Sequence, residues 1–196
     1  MNKVEEQLFR QPQLWSRREI LEKLCPIPKA PGIYAWYFKE VPPGVPTENC
    51  IRYNEYTLLY VGISPKAPPL NGAKPSSQTV QHRVRYHFKG NAEGSTLRLT
   101  LGCLLSSELN IQLRRVGSGK RLTFSKGEET LSEWMDQNAF IAWCEHPAPW
   151  EPEEELIKSI PLPLNLDQNQ HHPFHRTLSK IRQQAKETAR SLPIVS

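Results

Sequence analysis

Long apolar runs are missing from this chain. Nowhere in its 196 residues does a hydrophobic stretch reach the length needed to cross a bilayer, which takes roughly 18 residues. The opening Met1-Asn2-Lys3-Val4-Glu5-Glu6 has no apolar block of the kind that marks a secretory leader. A soluble, cytoplasmic protein without a membrane partner is expected. Cysteine is also scarce. Cys25, Cys50, Cys103 and Cys144 are scattered, with no C-x-x-C pair and no histidine at ligand spacing. That pattern argues for reduced thiols over a zinc site or a disulfide framework. Glycine, at 10 residues, is outnumbered by 18 prolines, a balance that implies stiff loops between compact elements.

The residues that are present fit one globular domain. Apolar residues make up 38%, yet 5 Trp, 6 Tyr and 6 Phe supply bulky core material. The mean hydropathy is −0.57. A formal net charge of +5 is compatible with an anionic partner and with many inert proteins alike.

The elements read in order. Ser16-x-x-Glu19 is a capping box opening a helix through Leu24, with Trp15 and Ile20 at the staple positions. Gly32–Phe38 and Thr57–Ile63 are rich in β-formers and read as strands. Between them, residues 39–56 form a long excursion. From Gln78 to Lys89 the period turns helical, with Val80, Val84 and Phe88 on one stripe. A second short helix is expected over Leu97–Leu105. Ile111–Arg115 and Lys120–Phe124 form a hairpin, followed by a helix over Leu131–Gln137 and a strand over Ala139–Cys144. Pro152 opens a helix to Ile160, and Pro173 opens a last one. This mixture means α+β or α/β. Gly117-Ser118-Gly119-Lys120 is no phosphate loop, because Arg114 and Arg121 stand where that motif needs Gly and Ser or Thr.

Two features carry chemistry on their own terms. Glu153 has Leu156 and Ile157 at i+3 and i+4, so it shares the apolar side of its helix, while Glu154 pairs outward with Lys158. A carboxylate next to a core needs a metal, an arginine or hydrogen bonds; it can also serve the helix dipole from the first turn. Arg83 and His87, spaced i, i+4, border Val84 and Phe88. The Arg83 fork suits a phosphate, although an arginine snorkelling along a core edge looks the same in sequence. Arg85 and Lys89 are expected to be solvated.

With these residues in place, the chain resembles the GIY-YIG nuclease superfamily. Gly32-Ile33-Tyr34 and Tyr60-Val61-Gly62 match its double motif. Arg83-Val84-Arg85-Tyr86-His87-Phe88 looks like its arginine helix, and Glu153-x-x-Leu156-Ile157 followed by Asn165 like its Glu–Asn pair. The resemblance spans about residues 30–166. It implies an α+β fold with a small, mainly antiparallel sheet flanked by helices, here carrying an inserted hairpin and a basic C-terminal helix. The whole chain, 1–196, is then one domain: a helical extension over 1–29, the catalytic core over 30–166 and the basic helix over 167–196. The chain departs from the family in three places. The excursion between the tyrosine strands is long, segment 91–150 holds the extra hairpin, and Ile63-Ser64-Pro65 stands where relatives often carry a lysine. Lys66 or Lys74 would take that role.

The resemblance further implies hydrolysis of phosphodiesters, most naturally in DNA. Glu153 would hold one divalent ion, Mg²⁺ or Mn²⁺, which prefers oxygen ligands. Arg83 would stabilise charge on the phosphoryl group, and Asn165 would fix the geometry. Tyr60 is the stronger candidate for base and Tyr34 the weaker. Gly62 would leave room for substrate or metal beside Tyr60. Because a phenol titrates near ~10, a cation is needed nearby; Arg83, the metal or His87 would supply it. On the last helix Arg182, Lys186 and Arg190 form one stripe and Arg176 and Lys180 begin another, adjuncts for phosphate contacts or an ordinary solvated flank. A nucleic-acid-binding module that kept the fold without cleavage, and an RNA-directed nuclease, are the rival readings. A homodimer is left open.

Overall fold

The computed structural model describes residues 3–69 and 76–195. Its centre is a five-stranded sheet with strand order β1-β7-β2-β4-β3. The strands are β1 (Trp15–Ser16), β2 (Gly32–Phe38), β3 (Arg52–Tyr53), β4 (Tyr56–Ser64) and β7 (Ala139–Glu145). Every pairing in it is antiparallel. A separate hairpin joins β5 (Arg114–Val116) and β6 (Arg121–Thr123), and the Gly117 and Gly119 that tempt a phosphate-loop reading form its turn with positive φ. The chain is α+β, with the antiparallel sheet and the inserted hairpin as expected.

Both faces of the sheet are covered, which is why β2 is buried along its whole length. Tyr34, Trp36 and Phe38 point to one face, toward α3 (Val80–Lys89), α4 (Thr96–Leu104), α5 (Gly127–Asn138) and α7 (His175–Ser191). Ile33, Ala35 and Tyr37 point to the other, toward Leu156 and Ile157 of α6 (Trp150–Ser159) and the N-terminal helical segment, Lys3–Glu5 continuing as a π-helical turn over Glu6–Arg10. This period-two alternation reads as a near-continuous apolar run in sequence because neither face is wet.

Several local expectations shift. The Ser16/Glu19 capping box forms in full, but its helix, α2 (Arg17–Leu21), stops short of Leu24. Within the excursion over 39–56, β3 adds an edge strand, and β1 pairs its two residues with β7. Neither short strand has a periodicity to announce it. Arg85, expected in solvent, is half-buried. Its guanidinium donates to the carbonyls of Ile20, Leu21 and Glu22 at 2.8–3.1 Å, satisfying the free end of α2.

The feature that positions the site lies in β4. Trp36 pairs with Tyr60, but Tyr37 pairs with Leu58, so Leu59 is the extra residue of a bulge. The Leu59 carbonyl accepts from the Leu164 amide at 3.1 Å. Beyond that point β3 no longer covers the β4 edge. The Asn165 side chain takes its place: Nδ2 donates to the Val61 carbonyl at 2.8 Å, and Oδ1 accepts from the Val61 amide at 3.0 Å. One amide thus imitates a neighbouring strand and brings the loop after α6 against the open edge.

Candidate active site

A cavity of about 550 Å³ opens at that edge. Tyr34, Tyr60, Arg83, Glu153 and Asn165 all line it, together with Lys66. A slightly larger groove, about 610 Å³, runs over the outer side of α3 beside Lys29, His82 and Lys89. Among the described residues that line it there is neither a motif tyrosine nor a carboxylate. Lys74 lies outside the described residues.

The tyrosines reach the cavity on one face of the sheet, yet their surroundings differ. Tyr34 is 1% exposed. Its ring lies over Gly62: a Cβ there would meet the Tyr34 hydroxyl at 2.6 Å. Gly62 was expected to leave room for substrate or metal. The structure gives that room to Tyr34. Burial, followed by the Tyr60 phenol, pushes the Tyr34 pKa well above its usual range, with Arg83 opposing. Tyr60 is half-buried and its pKa is also raised by burial, while the Thr96 hydroxyl and the Arg83 charge favour its ionised form.

His87 is fully buried and sits behind Tyr34. A hydrogen bond of 3.0 Å joins its Nε2 to the Tyr34 hydroxyl, and one of 2.7 Å joins Nδ1 to Ser95 Oγ. Burial first, then the Arg83 and Arg98 charges, hold its pKa well below the usual value. The imidazole is therefore neutral, and the expectation that His87 supplies a cation to a phenolate is corrected: it orients Tyr34 instead. Stability carries the sign of this. Below about pH 6.5 the unfolded chain takes up a proton that folded His87 refuses, so stability falls with pH by up to ~1.4 kcal/mol per unit. Urea titrations between pH 8 and 5.5 should show a steeper loss for the wild type than for His87→Gln. Equal slopes would mean that the ring is protonated in the fold.

Arg83 is half-buried and donates from Nη1 to the Gly94 carbonyl at 2.9 Å. The rest of its fork is left for the cavity. The loop carrying Gly94 and Ser95 is itself tied down. Arg98, wholly buried, bonds Glu128 at 2.7 Å and the carbonyls of His87 and Phe88. Glu128 also accepts from the Ala92 amide at 2.8 Å. These two residues were missed in the sequence, although a lone arginine inside the apolar run Leu97–Leu105 is a visible signal for a buried partner.

Glu153 faces the cavity, as its spacing predicts, while Glu154 turns outward to Lys158 at 2.6 Å. Among the described residues, only the Gln168 amide comes within hydrogen-bond reach of Glu153, at a long 3.4 Å. Burial raises its pKa; Gln168 and the Lys66 charge oppose, and Asp167 adds to the rise. No cation among the described residues comes within ion-pair distance of it. A half-buried carboxylate so weakly compensated, with the Asp167 carboxylate lining the same cavity, offers the hard oxygen donors that suit a largely hydrated Mg²⁺ or Mn²⁺. The residues fit such an ion.

On α7 the basic stripe divides. Arg182 enters the cavity, and Lys186 is half-buried near Cys103. Arg190, Arg176 and Lys180 are exposed. The cavity also takes in Asp167, two residues beyond Asn165, and Thr96 from α4, neither of which the sequence singles out, while Arg182 comes to it out of the basic stripe expected to contact phosphates.

A family model, the GIY-YIG catalytic domain, matches residues 32–184, from the first residue of β2 into α7. No curated protein and no solved structure matches the chain.

Proposed function

We propose, from the premise that the chain belongs to the family of GIY-YIG catalytic domains, that it is an endonuclease hydrolysing phosphodiester bonds in DNA with one divalent ion. The family is one of nucleases, generally dependent on a divalent metal. No helix among the described residues is long and apolar enough to cross a membrane. The observation that carries the reading is convergence. Tyr34 and Tyr60 from two strands, Arg83 from α3, Glu153 from α6 and Asn165 from the following loop meet around one cavity.

In this reading Glu153, with Asp167 nearby, holds the ion through oxygen atoms. When bound, the ion polarises the phosphate and stabilises the leaving oxygen. Arg83 grips the scissile phosphate with the part of its fork that Gly94 does not hold. Tyr60, the more accessible phenol, acts in its ionised form, having given its own proton to solvent with the Thr96 hydroxyl and the Arg83 charge favouring that form, and takes the proton of the attacking water. Tyr34, locked by His87, orients that water. Lys66 lines the same cavity beyond ion-pair distance of Glu153 and adds positive charge where the strand enters.

The direct test incubates purified protein with supercoiled plasmid and, separately, a structured RNA, each with Mg²⁺, Mn²⁺ or a chelator. Nicked or linear plasmid appearing only with ion supports the reading. Cleavage of RNA alone would overturn the DNA substrate, and no cleavage with either ion would leave a binding module. The two arginines of α3 should then separate. Arg83→Lys is expected to lower kcat/KM by about tenfold to a hundredfold, because a single ammonium nitrogen cannot reproduce the planar, spread fork that holds Gly94 at one end and phosphate with the rest. Arg85→Lys should keep its rate and lower the Tm, having lost its grip on the end of α2. Similar rates for the two variants would remove Arg83 from the mechanism.

A further inference from the structure

Arginines that serve packing in this chain find acceptors. Arg85 bonds three carbonyls of α2, and Arg98 bonds Glu128 and the end of α3. Even Arg83 spends one nitrogen on Gly94. Arg182 differs from all three. It is half-buried, its Nε is sealed from solvent, and it donates no hydrogen bond to any described residue. No carboxylate among the described residues lies within ion-pair distance of it. A guanidinium nitrogen sealed from water without an acceptor is costly, and this side chain borders the cavity that Tyr60 and Arg83 share.

We propose that Arg182, on the α4 side of the cavity where Thr96 and Thr100 line the wall, forms a second phosphate subsite. It takes the phosphate adjacent to the scissile one on the strand being cut. This rests on the nuclease reading and adds a residue outside the tyrosine, arginine-helix and Glu–Asn motifs.

Charge supports two phosphates over one. Lys66, Arg83 and Arg182 face Glu153 and Asp167 around the cavity, and Glu153 is the carboxylate assigned to the ion. One phosphodiester neutralises one charge, and a donor fork already stands at the scissile position in Arg83. Electrostatics agree: burial lowers the Arg182 pKa, while Cys103, Asp167 and Tyr60 oppose that only at a distance. A phosphate oxygen supplies the acceptor that the fold withholds. The subsite also separates Arg182 from Arg190, which is exposed on the same stripe.

The test is a binding measurement in chelator, so no strand is cut. Fluorescence anisotropy follows a labelled duplex carrying the cleavage position found in the plasmid assay. Each phosphate around it is replaced in turn by a neutral methylphosphonate. Wild type should weaken at two adjacent positions, the scissile phosphate and its neighbour. Arg182→Gln should bind about tenfold more weakly and lose the sensitivity at the neighbour alone. Its log-affinity against log-salt slope should flatten by roughly 0.9, a change that a packing defect would not give. A single sensitive phosphate in the wild type, which needs no variant to fold, would overturn the subsite, as would an unchanged slope in Arg182→Gln. A wild type that does not bind the duplex would overturn the nuclease reading and the subsite together.

Discussion

Glu153→Gln should abolish ion-dependent cleavage, by a thousandfold or more, while leaving duplex binding near the wild-type level. A loss of about that size corresponds to the several kcal/mol that a metal contributes to a phosphoryl transition state. The substitution keeps the shape of the side chain and its contact with Gln168, so the fold is not at risk. In the metal-free protein it removes a half-buried carboxylate that burial already disfavours. Glu153→Gln is therefore expected to melt slightly higher than wild type in chelator, and to show no further rise on adding Mg²⁺. Wild type should gain stability with the ion, by linkage. Glu154→Gln, whose partner Lys158 is on the surface, should cleave normally. If Glu154→Gln is the dead variant and Glu153→Gln cuts, the facing of α6 has been assigned to the wrong carboxylate.

The second large effect separates the tyrosines by what each one loses. Tyr60→Phe should slow cleavage by about 10²- to 10⁴-fold, the range for removal of a general base, with ion affinity and Tm nearly intact. Its hydroxyl faces the cavity and Thr96 and supports little of the fold. Tyr34→Phe should cost less in rate and more in stability. The ring still covers Gly62, but His87 Nε2 loses its one partner among the described residues, a penalty of about 1–3 kcal/mol. The wild-type rate should rise with pH along the limb of the base, and that limb should vanish in Tyr60→Phe. Its survival there and loss in Tyr34→Phe would reverse the roles. Its survival in both would exclude either phenol as base.

What the sequence reveals is what lies on one element. The facing of Glu153 against Glu154 follows from three and four residue offsets within α6, and Arg83 against Val84 from the stripe of α3. The central strands are legible because β2 is buried on both faces. What escapes a reading of the chain is partnership between distant elements. Arg85 looks solvated until α2 ends beside it. His87 looks like a cation until α4 and the Gly94–Ser95 loop seal it from water. Asp167 carries no local pattern and lies on the loop that Asn165 pins to Val61, and the basic stripe of α7 does not tell that Arg182 enters the cavity while Arg190 stays exposed. The bulge at Leu59 has no sequence mark at all. It exists because Tyr60 and Leu58 are both held in register by β2.

The strand order also sets the route by which this sheet can close. β2 meets β4 across the excursion over 39–56, long for such a link yet far shorter than the way to β7, which is met only after the hairpin, three helices and most of the chain between Phe38 and Ala139 have been made. Loop-closure entropy favours the nearer pairing. The β2–β4 ladder, which carries both tyrosines, should therefore be the folding nucleus, with β7 docking afterwards and bringing α6 behind it. Core substitutions at Ala35 or Val61 should then slow refolding, whereas substitutions at Ala142 should chiefly speed unfolding.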